Sequence, residues 1–374
     1  MTIALLILLA VIAAIFYLHY RLRHLKDQGD LAAALDKEMQ KATKNFSCGG
    51  LVVGVYKQGK TLIKTHGSIN SNQPNRPDVD SVFQIGSVSK VFTASTLQIL
   101  CDEGVLRLDD TLGQLIGGQI PLADAVKNIN LRQLATHTSG LPRVPKVLIQ
   151  QLNDKVGKQQ ALDNPYKELE LADMEAYLQK PSDLGKSGRF VYSNYGMGLL
   201  GRVLELTTGQ SLEALVAQKI FQPLKMQHSG IDLTKENQCQ VMQGYTAACK
   251  PAQAWTFKIL AGAGAFYSTT TDMLQFMRAN LDQSNPLSAS LSKTHAPQAS
   301  GKTGLGWMQA NPMDRFVGNK TVIWHDGQVG GFASYLAFDS EHDCGVVVLS
   351  SRSMGMNMLG MMLMRQLRSQ SWAG

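Results

Sequence analysis

Segments with β-strand character lie near both ends of this 374-residue chain, and a long stretch without them lies between. Residues 51–56 and 61–65 flank a four-residue turn that contains a glycine, which is the pattern of a β-hairpin. Three further segments, 321–324, 332–338 and 345–350, occur near the C-terminus, the last two joined by a polar turn. We therefore expect one antiparallel sheet that both ends of the chain build together.

The part of the chain between the strands, about residues 105–282, has mostly helical spacing of its apolar residues. It predicts a helical insertion into the sheet domain. The sequence thus predicts an α+β fold, in which an antiparallel sheet is flanked by helices and carries a mainly helical subdomain. The clearest helical stretches are 87–103, 173–179, 196–208, 271–281 and 354–367.

The first twenty residues are apolar almost without interruption. About 20 such residues are enough to cross the hydrocarbon core of a membrane. Residues 17–26 are bulky and basic where a cleaved signal peptide would have a small-residue cleavage site. We therefore expect residues 1–20 to be a retained transmembrane anchor.

The segment that follows the anchor, residues 21–45, mixes charged residues with apolar ones at helical spacing. Leu31, Leu35 and Met39 would lie on one face of such a helix. We expect a juxtamembrane helix or linker that packs on the main domain. The main domain is then predicted to span residues 46–372.

Charge and cysteine content exclude several classes of function. The net charge is +7, but the basic residues are scattered and no nucleic-acid-binding motif accompanies them, so we expect no nucleic-acid partner. The five cysteines form no C-x-x-C motif and no metal-like spacing with histidine, which disfavours a disulfide framework and a metal site. Cys239 and Cys249 could pair across a short loop in an oxidising compartment, or all five thiols could be free.

Ser87 and Lys90 lie three residues apart at the predicted start of a helix. At that spacing they share a face, with Cβ atoms roughly 5–6 Å apart. A serine hydroxyl is a poor nucleophile until a base takes its proton, and a lysine that burial keeps neutral can be that base. The helix N-terminus adds N–H groups and a positive field near a developing oxyanion. The pair alone also fits a capping serine with a surface lysine.

Two further motifs could complete a site around this pair. In Tyr-Ser-Asn at 192–194, a phenol and a carboxamide could project into one cleft, and a phenol near cations can lose its proton at a lower pH and relay protons. In His-Asp-Gly-Gln at 325–328, a glycine at a strand edge lets a substrate approach, and the next N–H can complete an oxyanion hole. Each motif alone also fits an ordinary loop tyrosine or a structural histidine.

In this order, the motifs resemble those of the serine β-lactamase and penicillin-binding protein superfamily, and specifically of its class C-like branch. The resemblance runs from about Phe46 to Leu367. A K-T-G sequence at 302–304 matches a signature of related enzymes. It directly precedes Leu-Gly-Trp at 305–307, which in the family leads into the strand before the third motif, so the sequence at 325–327 is the better match to that motif. The blocks that carry the resemblance are 83–90, 134–142, 192–196, 304–307 and 325–332.

The resemblance implies the roles of the reacting groups. Ser87 would be the acylated nucleophile, and Lys90 and Tyr192 would transfer its proton. The implied reaction is acyl transfer from an ester or amide, in which water hydrolyses the acyl-enzyme. Neither a cofactor nor a metal is implied.

The resemblance also implies the residues that hold the substrate. Asn194 would contact a substrate amide, and His325 would lie on the strand that edges the cleft. The backbone N–H groups of Ser87 and Gln328 would form the oxyanion hole, with Gly327 allowing close approach. We interpret His137, in the block at 134–142, as part of a structural loop.

The third motif departs from the class C pattern, because histidine replaces lysine at position 325 and Asp326 follows it. Lysine would be a permanent cation for a substrate carboxylate, whereas histidine near neutral pH is only partly charged. This shifts the expected substrate towards a carboxylic ester or a D-amino-acid peptide, as for carboxypeptidase-like members. β-Lactam hydrolysis and a catalytically idle, membrane-anchored scaffold are the alternatives.

The side of the membrane on which the domain lies is left open by the sequence. Arg21, Arg23 and Lys26 follow the anchor, and by the positive-inside rule they place the domain in the cytoplasm. Members of the family that the chain resembles usually face the periplasm or the outside. We expect an extracytoplasmic domain that acts on a small-molecule or peptide substrate; its oligomeric state is not predicted.

Overall fold

The computed structural model describes residues 30–70, 75–236, 238–298 and 300–372. The membrane anchor predicted at residues 1–20 lies outside these ranges, as does the beginning of the linker that follows it. Among the described helices, none combines the length and apolar character needed to cross a membrane.

Both ends of the chain contribute to one sheet, which confirms the predicted antiparallel arrangement. Six strands lie in the order β2-β1-β10-β9-β8-β7, and each neighbouring pair is antiparallel. Val53 of the first strand lies opposite Val348 of the last. In chain order the strands are β1 Gly50–Lys57, β2 Lys60–Gly67, β3 Phe83–Gln84, β4 Gly244–Tyr245, β5 Pro251–Ala252, β6 Tyr267–Ser268, β7 Met308–Gln309, β8 Ile323–Val329, β9 Phe332–Asp339 and β10 Cys344–Ser350.

Helices cover the sheet and make up most of the middle of the chain. Between residues 105 and 282, each described strand is two residues long, so this part is mainly helical, as predicted. The α-helices span Leu31–Thr43, Ser89–Asp102, Leu112–Ile116, Asp124–Lys127, Leu131–Ala135, Lys146–Val156, Lys158–Asp163, Leu171–Gln179, Asn194–Thr208, Leu212–Val216, Thr270–Leu281, Ser288–His295, Pro312–Phe316 and Asn357–Ser369.

The sheet separates two apolar cores because its side chains alternate between its faces. Val52 of β1 belongs to the larger core, which contains the Ser89–Asp102 helix. Its neighbours Val53 and Val55 belong to the second core, where the sheet packs against the first and last described helices, Leu31–Thr43 and Asn357–Ser369.

The predicted linker helix is present as Leu31–Thr43 and packs on the domain. Leu31, Leu35 and Met39 are all buried against the second core, which confirms the face that their spacing predicted. The backbone N–H of Leu31 donates a hydrogen bond of 3.3 Å to the carbonyl of Ser371. The two ends of the described chain therefore meet.

The disulfide in the structure joins Cys48 to Cys249, so neither the suggested Cys239–Cys249 pair nor a chain of free thiols is correct. The partners are 201 residues apart in sequence, and their Cα atoms lie 5.8 Å apart. Tertiary packing brings them together, because Arg352 donates hydrogen bonds to the carbonyls of both Asn45 and Ala247. Spacing along the sequence cannot predict a contact of that kind. The remaining cysteines are free thiols.

Candidate active site

Ser87 and Lys90 lie at the junction of a short 3-10 turn, Gly86–Val88, and the buried helix Ser89–Asp102. The helix therefore begins two residues later than the sequence predicted. The turn needs a glycine at its first position, because Gly86 has a φ of +50°. The spacing still brings the two side chains together, and Lys90 Nζ donates a hydrogen bond of 2.9 Å to Ser87 Oγ.

Lys90 is fully buried, and its Nζ also donates a hydrogen bond of 2.6 Å to the carbonyl oxygen of Ala263. Burial, and secondly the nearby Arg143 guanidinium, hold the pKa of Lys90 well below its usual range, while the charge of Asp326 opposes this shift. A lysine in this state loses its proton to give a neutral amine more readily than an exposed lysine does. It is then able to accept a proton from the serine that it contacts.

Tyr192 lies directly before the helix Asn194–Thr208, whose N-cap is Ser193. Ser193 Oγ accepts a hydrogen bond of 2.7 Å from the N–H of Gly196 and so fixes the loop that holds the phenol. The Tyr192 ring centroid lies 5.0 Å from Lys90 Nζ.

The expectation of a more acidic phenol is wrong. Burial raises the pKa of Tyr192, and its hydrogen bond with the Ser87 side chain opposes that rise only in part. A desolvated phenolate costs more free energy than the phenol. Tyr192 is therefore a neutral hydroxyl, which can donate and accept a proton in turn, and Lys90 is the group whose pKa is shifted towards neutrality.

His137 has a closer connection with the site than its interpretation as a loop residue suggested. Its Nδ1 accepts a hydrogen bond of 3.1 Å from the N–H of Ser193, and its ring centroid lies 4.5 Å from that of Tyr192. The ring is buried, and burial, followed by the charge that Lys90 carries when it is protonated, keeps the pKa of His137 well below the usual range. The neutral His137 imidazole thus packs against the Tyr192 ring and fixes the loop that carries Tyr192 through its hydrogen bond with Ser193.

Arg143 and Tyr166 are site residues that the sequence did not predict. The Arg143 Cζ atom lies 5.3 Å from the Tyr192 ring centroid. The Tyr166 hydroxyl accepts a hydrogen bond of 3.0 Å from Asn194 Nδ2. Arg143 directly follows the block at 134–142, which could have drawn attention to it, whereas Tyr166 lies in the helical insertion without any motif around it.

Asn194, which the sequence predicted to contact the substrate, is buried beside the phenol loop. Its Oδ1 atom has no hydrogen-bond partner among the described residues. A buried amide oxygen without a partner costs free energy. A donor on a bound substrate would satisfy it.

The third motif lies on β8 and contacts the Ser87 turn through its glycine. A Cβ atom on Gly327 would lie 2.1 Å from the Ile85 carbonyl oxygen and 2.9 Å from the backbone nitrogen of Ser87. A Cβ atom on Gly86 would lie 2.8 Å from the backbone nitrogen of Gln328. The two glycines therefore allow the strand and the turn to approach, which brings together the two N–H groups predicted to form the oxyanion hole.

His325 points into the same region but is buried, with 1% of its surface exposed. Its Nδ1 lies 2.6 Å from the backbone oxygen of Asp326, and its ring centroid lies 6.3 Å from that of Tyr192. Burial, followed by the charge that Lys90 carries when it is protonated, lowers the pKa of His325 to about 4. The imidazole is therefore neutral near pH 7, rather than partly charged as the sequence suggested.

Comparisons with known proteins identify the family to which this chain belongs. The family model described as Beta-lactamase matches residues 35–362. A beta-lactamase of Pseudomonas fluorescens is 26% identical over 365 residues, which cover 87% of this chain and 94% of that protein. The D-alanyl-D-alanine-carboxypeptidase/endopeptidase AmpH of Escherichia coli K12 is 26% identical over 323 residues, which cover 81% of this chain and 80% of that protein.

The fold is shared with solved structures of similar proteins. A crystal structure of a beta-lactamase/D-alanine carboxypeptidase from Pseudomonas syringae has a TM-score of 0.75 to this chain at 21% identity, and it covers 90% of this chain and 98% of its own. A class C beta-lactamase structure also has a TM-score of 0.75, at 22% identity. The protein therefore belongs to the beta-lactamase family and is a serine hydrolase.

Proposed function

We propose that the protein hydrolyses a carboxylic ester or amide through an acyl-enzyme on Ser87. The observation that carries this proposal is the hydrogen bond of 2.9 Å between Lys90 Nζ and Ser87 Oγ, made by a lysine that is fully buried. A charged lysine is strongly disfavoured in such a position, so the amine is suited to act as a base. A capping serine with a solvated surface lysine would not have this geometry.

The side chains are suited to consecutive proton transfers. Neutral Lys90 takes the hydroxyl proton of Ser87 as Ser87 Oγ bonds to the substrate carbonyl carbon. When the bond to the leaving alcohol or amine breaks, the Tyr192 hydroxyl gives its proton to the leaving group and takes the proton from Lys90, so both side chains are neutral again in the acyl-enzyme. The N–H groups of Ser87 and Gln328 stabilise the tetrahedral oxyanion. Water then adds its oxygen to the acyl carbon and gives one proton to Lys90. When the bond between the acyl carbon and Ser87 Oγ breaks, that proton returns to Oγ through Tyr192, which releases the carboxylic acid and regenerates Ser87.

The third motif supplies no cation that would bind a substrate carboxylate. This supports a substrate that does not place a carboxylate beside His325. His325 is neutral near pH 7, and Asp326 beside it would repel a substrate carboxylate. We therefore propose a carboxylic ester as the preferred substrate. β-Lactams and D-alanyl peptides are the second candidates, because similar proteins bear the names beta-lactamase and D-alanyl-D-alanine-carboxypeptidase.

Covalent labelling tests whether the site is active. The protein would be incubated with a fluorophosphonate, digested and analysed by mass spectrometry, with the Ser87→Ala variant as the control. We expect one adduct on the Ser87 peptide of the wild type and none on the variant. An unlabelled wild-type protein would contradict the proposal and favour the catalytically idle scaffold.

A substrate panel separates the enzyme classes. Rates would be compared for p-nitrophenyl acetate, a D-alanyl-D-alanine peptide and nitrocefin at neutral pH. We expect kcat/KM to be highest for the ester. A higher value for nitrocefin or for the peptide would contradict the ester preference but leave acyl transfer by Ser87 intact.

We also propose that the domain lies on the extracytoplasmic side of a membrane, held by the predicted anchor at residues 1–20. The disulfide between Cys48 and Cys249 supports this location, because such bonds persist in oxidising compartments and are rare in the cytosol. Protease added to intact cells would digest an extracytoplasmic domain. Complete protection of the domain in intact cells, with digestion after lysis, would reverse the assignment.

A further inference from the structure

An apolar pocket lies beside the serine site, between the helices Lys146–Val156 and Lys158–Asp163. Its volume is about 280 Å³. None of its aliphatic residues takes part in the proton transfers proposed above. The aliphatic side chains that line it include Leu148, Ile149, Leu152, Ala161, Leu162 and Leu169.

Two residues of the pocket wall connect it directly to the serine site. Arg143 lines the pocket and places its guanidinium 5.3 Å from the Tyr192 ring centroid. Tyr166 also lines the pocket, and its hydroxyl accepts the hydrogen bond from Asn194. These two side chains therefore lie between the pocket and the serine site, and a group attached to a carbonyl at Ser87 would pass them to enter the pocket.

The pocket combines a buried base with an exposed rim. Leu148 and Leu152 at its base are 1% and 4% exposed, whereas Ile149 and Leu162 at its rim are 47% and 65% exposed. Large aliphatic side chains around a concave site leave apolar surface in water, which an apolar ligand would cover. Pockets of this kind, mostly apolar with a few polar groups at one end, are the usual form of small-molecule sites.

We propose that this pocket binds an aliphatic acyl chain of the substrate, so that the enzyme prefers esters of medium-length fatty acids over acetates. The inference rests on the proposed acyl transfer by Ser87. The acyl half is the better occupant, because it stays on Ser87 through both half-reactions. A leaving group held in the pocket would instead delay the entry of water.

A series of p-nitrophenyl esters with a constant leaving group tests the preference. For acetate, butyrate and octanoate below their micelle-forming concentrations, we expect kcat/KM to rise by about fourfold for each methylene that the pocket buries, which corresponds to about 0.8 kcal/mol. The rise should stop once the chain fills the pocket. An equal or falling kcat/KM along the series would overturn the inference.

Two substitutions locate the preference in the pocket. Ala161→Phe fills the space between the helices, and Leu162→Lys places a charge at the rim. Both should reduce the octanoate-to-acetate ratio of kcat/KM by at least tenfold. The matched control is Met358→Lys, since Met358 is 60% exposed on another helix, and it should leave the ratio unchanged. An unchanged ratio in both pocket variants would contradict the inference.

The two proposals fail in different ways. If the fluorophosphonate does not label Ser87 in the wild type, the proposed function is wrong and the pocket loses its basis. If Ser87 is labelled but chain length has no effect, only the pocket inference is wrong. A chain-length effect in esters of aliphatic alcohols with acetic acid, without one in the acyl series, would assign the pocket to the leaving group and overturn the proposal.

Discussion

Lys90 holds an amino group where none of its surface is exposed to water. The lowered pKa that follows from this burial favours the neutral amine that acts as the base. It also lowers the free energy of unfolding of the protein. In the unfolded chain the lysine keeps its ordinary pKa of about 10.4. Between the folded and unfolded pKa values the unfolded state binds more protons, so the free energy of unfolding rises with pH in that interval.

The Lys90→Met variant separates the two effects. It should lose at least a thousandfold in kcat/KM, because Ser87 no longer has its base. The melting temperature of the variant minus that of the wild type should be largest near neutral pH. This difference should decrease as pH is raised towards 10, because the wild type becomes more stable over that range. Differential scanning calorimetry over this range measures it. A difference that does not depend on pH would mean that Lys90 is charged in the folded protein.

The charges around Lys90 predict the pH profile of the reaction. Activity requires neutral Lys90, so kcat/KM should fall as pH is lowered through its folded pKa. Arg143→Gln removes a charge that lowers this pKa, so the acidic limb should move to higher pH. Asp326→Asn removes a charge that raises the pKa, so the limb should move to lower pH.

Profiles of kcat/KM against pH for the p-nitrophenyl ester measure these shifts. The Arg107→Gln variant is the control, since Arg107 is exposed and lies outside the site, and it should leave the limb in place. Shifts of the same sign in the Arg143 and Asp326 variants would rule out Lys90 as the group that titrates.

At the scale of secondary structure elements, the site depends on how closely β8 approaches the turn before the Ser89–Asp102 helix. Ser334 of the neighbouring strand donates a hydrogen bond of 2.7 Å to the carbonyl of Ile85 and holds that turn against the sheet. A Cβ atom on Gly327 would lie within 2.5 Å of both atoms of this hydrogen bond, the Ser334 Oγ and the Ile85 carbonyl oxygen. A side chain there would separate the two N–H groups that are proposed to bind the oxyanion.

The Gly327→Ala variant tests this arrangement. We expect kcat/KM to fall by about 10²–10³, the usual effect of losing an oxyanion-hole donor, while the protein remains folded. The control is Gly118→Ala, because a Cβ atom at Gly118 would meet nothing within 4 Å. Full activity of Gly327→Ala would show that the strand and the turn are not the oxyanion hole.

The sequence predicted the elements better than the contacts between them. Strand alternation and the three-residue spacing of Ser87 and Lys90 are local patterns, and both are present in the structure. The roles of Arg143 and Tyr166 depend on how the insertion folds back over the site, which no local pattern reports. The neutral states of His325 and Tyr192 depend on burial, which likewise becomes visible only once the fold is known.

At the scale of the whole molecule, the disulfide is a long-range constraint on the unfolded chain. It joins residues 201 positions apart, and closing so long a loop removes much conformational entropy from the unfolded state. The Cys48→Ser variant should therefore lose about 2–4 kcal/mol in free energy of unfolding.

Denaturant unfolding with and without a reductant measures this effect. The reductant should lower the stability of the wild type and leave that of Cys48→Ser unchanged. The Cys239→Ser variant is the control, since Cys239 forms no disulfide, and it should still respond to the reductant. Equal stabilities of Cys48→Ser and the wild type under oxidising conditions would mean that the bond is not formed in solution.

The first and last described helices meet on one face of the sheet. This arrangement determines how the enzyme would be oriented when it is attached to a surface. The nucleophile helix packs on the other face, so anything attached at residue 30 or residue 372 is attached behind the sheet. A short tether at residue 30, at residue 372 or at both would thus give the same orientation. A bead or electrode coupled at either of these residues would leave Ser87 equally open to substrate.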